Sequence, residues 1–231
     1  MRRRRAILIL ALGTVILALL AGAMPKMIQE SIGEAHTAGN SRPVEAQAVG
    51  LAAEALEKLQ VKGRAPKTGY ERSRFGDGWV TVQGCTTRNI ILYRDLRDAV
   101  LDDSCRVLSG TLEDPYTGQT IAFSNDDASK VQIDHVVALS DAWQKGAQQL
   151  SQKTRERLAN DPLELLAVDG PQNQAKSDGD AATWLPKNKS FRCEYVARQI
   201  AIKQKYELWV TISEKEAMLS VLRTCPGQIL P

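Results

Sequence analysis

Asp134 and His135 stand side by side in the run Val131-Gln-Ile-Asp-His-Val-Val-Ala-Leu139. The other histidine of the chain, His36, lies near the N-terminus in a stretch that reads as linker, so any imidazole chemistry falls to His135. Imidazole titrates nearer neutrality than any other side chain, which lets it take a proton from water and return it within one reaction. The alternating faces of a strand send neighbouring side chains opposite ways, so the pair acts together only where the strand bends, bulges or ends. Taken alone, the pair fits a packed, hydrogen-bonded core histidine equally well.

Further blocks follow in order: Ala159-Asn-Asp-Pro-Leu-Glu-Leu-Leu-Ala-Val-Asp-Gly-Pro-Gln-Asn-Gln-Ala-Lys-Ser-Asp178, then Ala182-Thr-Trp-Leu-Pro-Lys-Asn188. Upstream are Cys85-Thr-Thr-Arg-Asn89 and Ser109-Gly-Thr-Leu-Glu-Asp-Pro-Tyr-Thr-Gly118. With the Asp-His pair, these blocks make the chain resemble the HNH endonuclease family from about Tyr70 to Cys225. The resemblance is to its exported bacterial branch with a GmrSD-type C-terminal (DUF1524-like) domain. It implies a ββα-metal (His-Me finger) site, in which a strand pair carries the general base and the following helix supplies a metal ligand. Phosphodiester hydrolysis needs an activated water, in-line attack and a cation to offset charge on the phosphate and the departing oxygen. On the family pattern His135 is the general base, and Asp134 and Asn173 are metal ligands. Oxygen ligands of this kind suit Mg2+ or another hard divalent cation. Lys176, three residues beyond Asn173 and on the same helical face, is placed to meet a phosphate oxygen.

The middle motif position, an asparagine in relatives, falls at Glu164. A carboxylate there would orient the histidine and raise its pKa; Asn160, four residues upstream, is the alternative. Each residue also has a plain reading. Asn173 would then cap the helix after Gly170-Pro171, Lys176 would be a solvated charge and Glu164 an exposed strand residue.

The elements that must position these residues can be sketched from periodicity and punctuation. Helical spacing runs from Val44 to Leu59, behind Pro43, and again over Ile90–Leu101. Trp79–Val82 reads as a short strand, and Arg106–Leu112 and Thr120–Phe123 as strands around the Asp114–Gly118 turn. Ile133–Leu139 is expected to be the first site strand, followed by helices over Asp141–Leu150 and Gln152–Asn160. Leu163–Val168 is expected to be the second site strand, with Asn173 in the helix that opens after it. Helices over Lys189–Tyr206 and Ser213–Arg223 close the fold. The class is α+β, a single domain with the site surrounded by helices.

Met1-Arg-Arg-Arg-Arg5 followed by the apolar Ala6–Met24 stretch has the layout of an export signal. Ala21-Gly22-Ala23 fits a cleavage site, yet the stretch is also long enough to span a bilayer uncleaved. Residues 1–24 are therefore a signal peptide or anchor, 25–43 a linker, and 44–231 the nuclease-like domain. Four cysteines without a Cys-x-x-Cys pair argue against a zinc cluster and, in an exported chain, for two disulfides. The shortest loops pair Cys85 with Cys105 and Cys193 with Cys225.

The chain has 231 residues, 43% hydrophobic and 25% charged, and a net charge of +3 that four signal arginines more than account for. Overall charge thus gives no argument for nucleic acid, and a phosphate-binding surface must be a local patch. Its candidates are Arg72, Arg74, Arg88, Lys176, Lys187, Lys189, Arg192, Arg198, Lys203 and Lys205. The functional expectation is a secreted or membrane-anchored metal-dependent endonuclease of weak sequence preference. It would act on nucleic acid, DNA before RNA, touch membrane only through an uncleaved N-terminus and need no protein partner. The alternative is a nucleic-acid-binding or envelope interaction domain on the same fold with impaired catalysis.

Overall fold

The structure, a computed structural model, describes residues 51–231. The expected signal or anchor, the linker and the start of the Val44–Leu59 helix lie outside the described residues. No described helix is long and apolar enough to cross a membrane.

Seven helices and three small antiparallel sheets make up the described part, a mixed α+β domain. The chain opens with α1 (Ala52–Lys58), then the two-stranded β1 (Thr81–Val82) and β2 (Cys85–Thr86), then α2 (Thr87–Asp95). Thr86 caps α2 by accepting from the Asn89 amide. A second sheet follows, β3 (Leu96–Leu101), β4 (Val107–Glu113) and β5 (Thr120–Ser124). The expected helix over Ile90–Leu101 is therefore half right. From Leu96 the chain pairs with β4, Leu96 opposite Leu112 and Arg97 opposite Thr111, and the cross-strand ladder overrides local helical spacing. Trp79 stands just ahead of the β1 strand expected to begin there.

The strand β6 (Val131–His135) leads to α3 (Leu139–Gln144) and α4 (Gln152–Ala159) before the chain returns as β7 (Leu165–Asp169). These two strands pair antiparallel with His135 opposite Leu165 and Asp134 opposite Leu166. The helix α5 (Gly170–Lys176) follows β7 without a loop. Pro171 sits in its first turn and the Asp169 side chain accepts from the Gln172 amide, so Asp169, not Asn173, is the cap. Gly170 is required by close approach: a β-carbon there would lie 2.1 Å from the Ser129 carbonyl oxygen. Two C-terminal helices, α6 (Arg192–Lys205) and α7 (Ile212–Leu222), complete the chain, α7 opening on a Thr211–Glu214 capping box.

The β6–β7 pair lies between two apolar cores. Val131, Ile133, Leu165 and Ala167 pack into a smaller core with α2, β4 and β5. Leu166 and Val168 face the larger one, built chiefly on α1, α3, α4, α6 and α7. Alternation along a strand is what lets one pair serve both. Both expected disulfides, Cys85–Cys105 and Cys193–Cys225, are present, and no described cysteine is free.

Candidate active site

His135 is the last residue of β6, so Asp134 and His135 are the two residues at which the strand ends. The expected strand to Leu139 stops here because the next amides leave the ladder. Val136 N–H donates to the Glu164 carbonyl and Val137 N–H to the Glu164 carboxylate, at 2.8 and 3.2 Å. The strand end releases Asp134 and His135 to line one cavity of about 670 Å3, together with Gln132, Asn173, Arg72 and Arg88.

The imidazole of His135 is held at one nitrogen. Nε2 lies 3.0 Å from the Ala159 carbonyl oxygen, which can only accept, so Nε2 carries the proton and Nδ1 keeps its lone pair. The ring stacks on Trp79, centroids 5.7 Å apart and planes within 5°. Burial, then the Arg72 guanidinium, brings the His135 pKa down to about 3, so the ring is neutral at physiological pH. A buried, neutral, tautomerically fixed imidazole with a free lone pair is equipped to accept a proton.

Asp134 accepts from two sides. The Tyr116 hydroxyl donates to Oδ2 in a short bond, and the Lys176 ammonium donates to Oδ1 at 2.9 Å. Burial outweighs both and raises the Asp134 pKa above the usual carboxylate value. The same ammonium donates to the His135 carbonyl at 2.7 Å and is fully buried. Lys176 is thus turned into the protein, and the expectation that it meets a phosphate oxygen is corrected. Its role is to fix the end of β6 from α5.

Glu164 is likewise corrected. Its carboxylate is completely buried and accepts from Val137, while His135 is oriented by Ala159 instead. Asn160, the other candidate for that role, accepts from the Val80 amide and donates to the Glu156 carbonyl. Burial pushes the Glu164 pKa well above the usual range, and its other oxygen finds no hydrogen-bond partner among the described residues. Glu164 therefore shapes the turn after His135 rather than the imidazole.

Asn173, on α5, donates from Nδ2 to Gln132 Oε1 at 3.0 Å, which leaves its amide oxygen as the atom able to bind a cation. Among the described residues no three His, Cys, Asp or Glu side chains gather as in an all-protein metal cage. The cavity offers one buried carboxylate, the amides of Gln132 and Asn173, and the half-exposed Asp178. A small set of hard oxygen donors fits magnesium, which retains waters and takes few protein ligands, although Lys176 already offsets the Asp134 charge.

Of the ten candidate phosphate-binding cations, Arg72 and Arg88 line this cavity. Neither has an ion-pair partner among the described residues, whereas Lys67, also lining it, pairs with Asp178 at 3.0 Å. Burial lowers the Arg88 pKa, the mark of a guanidinium held without an anion. Lys203 is buried in an ionic cluster of the larger core and leaves the list with Lys176. Tyr116, Trp79 and the Ala159 carbonyl were not singled out from sequence, although Tyr116 and Ala159 lay in recognisable blocks, Ser109–Gly118 and Ala159–Asp178.

The model of the GmrSD restriction endonucleases' C-terminal domain matches residues 86–221. An uncharacterized secreted protein of Arthroderma benhamiae is 40% identical over 173 residues, covering 74% of this chain and 82% of that one. That relative is fungal, so it lends nothing to the expected bacterial branch. No solved structure matches the chain.

Proposed function

The chain belongs to the family of GmrSD restriction endonuclease C-terminal domains, and on that footing we propose that it is an exported, metal-dependent endonuclease that hydrolyses phosphodiester bonds of DNA. The observation that carries this reading is His135, neutral, fixed at Nε2 by Ala159 and with Nδ1 unbonded among the described residues, in a cavity shared with Asp134, Asn173 and two arginines that have no ion-pair partner among those residues. In the reaction His135 Nδ1 takes the proton of the attacking water, and Arg72 and Arg88 hold the phosphate oxygens. Asp134 and Asn173 would hold the divalent cation, which supplies charge compensation at the phosphate and the departing oxygen. The negative charge of a bound phosphate works against the depression of the His135 pKa and makes it a better base in the complex than in the free protein.

Export is supported by the basic-then-apolar start of the chain, by two disulfides and by its likeness to the secreted protein of Arthroderma benhamiae. Whether the apolar stretch is cleaved, at the small residues Ala21-Gly22-Ala23, or retained as an anchor is read from the N-terminal residue of the exported protein.

A second reading, binding without cleavage, is favoured by one observation: both Asp134 oxygens already accept from protein donors. Incubating supercoiled plasmid with the purified protein decides between them. The nuclease converts it to nicked and linear forms with magnesium and stops with a chelator. Retarded but intact plasmid under the same conditions would leave the binding domain.

A further inference from the structure

A second recess of about 340 Å3 opens beside the first and shares Arg72, His135 and Leu139 with it. Its character is different. Phe75, Trp79, Leu139 and Ala159 give it an apolar and aromatic wall, whereas the first cavity is lined mainly by charged and amide side chains. Gly76 and Gly78 also line it, at positive φ, 100° and 127°, the backbone region that favours glycine. The volume lies in the range of small-molecule sites, roughly 300–1,000 Å3. A cavity lined by Arg72 and Arg88 and joined to an apolar, aromatic recess at the imidazole suits a substrate that carries a planar ring next to its phosphate.

We propose that this recess is a nucleobase subsite, in which a base flanking the scissile phosphate leaves its stack and packs against Trp79, making single-stranded or locally unpaired nucleic acid the preferred substrate. The inference rests on the nuclease reading and deepens it. A paired base is held between its neighbours and its partner and cannot enter a side recess without being unpaired first. Stacking on an indole accepts any base, since every base has a π-face, so the subsite adds affinity without sequence preference. Trp79 is then a positioning residue with two contacts, the imidazole and the base.

The test is binding of a short DNA single strand carrying 2-aminopurine, measured by fluorescence with a chelator present so that no cleavage intervenes. The expected result is quenching on binding to the wild-type protein. Affinity should fall roughly ten-fold or more for Trp79→Leu, and Trp79→Phe should keep both quench and affinity. The same probe fully paired in a duplex, already dim from stacking between its neighbours, should bind more weakly and change little in fluorescence. An abasic single strand provides an arm that does not depend on how a variant folds, and it should bind the wild-type protein more weakly as well. Equal binding of single strand and duplex, or a quench that survives Trp79→Leu, overturns the subsite; if plasmid is still cleaved, the nuclease reading stands. Absence of binding to every nucleic acid, with plasmid left intact, overturns both.

Discussion

A histidine that takes a proton from water must keep one nitrogen bare, and at His135 this is achieved by spending the other on a backbone carbonyl. Replacing it with alanine should lower plasmid cleavage by on the order of 100- to 10,000-fold, the usual contribution of a positioned base. Cleavage within a few-fold of wild type would remove His135 from the mechanism. The same burial sets a stability signature. The folded pKa of about 3 lies below the unfolded value of 6.5, so between the two the unfolded chain binds more protons. Stability is full above pH 6.5 and falls as pH drops toward 3, by on the order of 2 kcal/mol by pH 5. In His135→Gln, urea melts at pH 7 and pH 5 should differ less than they do for wild type. Glu164 has the opposite sign, because its folded pKa is raised. Its contribution is full below the ordinary glutamate pKa and is lost as pH rises above it. Glu164→Gln, which keeps an acceptor for the Val137 amide, should therefore be more stable than wild type at pH 8 and no more stable at pH 4. A stability difference independent of pH would show that the folded pKa of Glu164 is not raised above its unfolded value. At this scale the residue types were legible in the sequence and their partners were not. Asp134, His135 and Asn173 do share one cavity, but the assignment of Glu164 and Lys176 needed the direction of two buried side chains, which no spacing encodes.

The strand–strand–helix unit that carries these residues was readable because its signals agree. β6 alternates apolar Val131 and Ile133 with polar residues, β7 is an apolar run ending at Asp169, and Gly170-Pro171 marks the start of α5. Over Ile90–Leu101 the signals conflict. Ile90, Leu92, Leu96 and Val100 suit a helix by spacing, yet the second half joins a sheet whose partner strand lies beyond a turn and a disulfide. Long-range pairing of that kind is invisible to a local window. Within the site unit, Gly170 is the joint between β7 and α5. Its amide donates to the Lys130 carbonyl at 2.9 Å, and the Ser129 carbonyl fills the place of a side chain. Gly170→Ala must push either backbone aside, at a cost of about 1–3 kcal/mol. Because α5 carries both Asn173 and Lys176, the displacement reaches Gln132, Asp134 and the His135 carbonyl together. The expected outcome is a lower melting temperature and lost cleavage in protein that is still folded. Full activity below the melting point would show that the site does not depend on the register of α5.

Across the whole molecule, the export features were open to sequence reasoning and the polar core was not. An even cysteine count and loop lengths sufficed for both disulfides, which join residues 20 and 32 apart. Lys145, Lys203, Asp141, Asp180, Glu214 and Arg64 are scattered over 151 positions of sequence, and each alone reads as surface; in the fold they form one charge-balanced cluster, buried except for Arg64 at its rim. Lys145 is its centre, with Nζ within 2.8 Å of Asp141, Asp180 and Glu214. Those three carboxylates belong to α3, to the loop after α5 and to α7, so one ammonium connects the exit of the site helix to the C-terminal helices. Buried pairs of this kind add little net stability over apolar packing, but removing one partner leaves the others uncompensated and costs about 3–5 kcal/mol. Lys145→Met strands three carboxylates beside Lys203 and the half-buried Arg64. It should therefore destabilise the protein by about that much near neutral pH, and by less in acid, where the carboxylates can take up protons. Asp180 is the most informative of the three. Lys145 and Arg64 overcome its burial and hold its pKa at about 2, so in wild type it stays charged through mild acid. Urea melts of wild type and Lys145→Met from pH 7 to pH 4 check this. A gap that stays constant over that range would mean that the cluster does not act through the charge of its carboxylates.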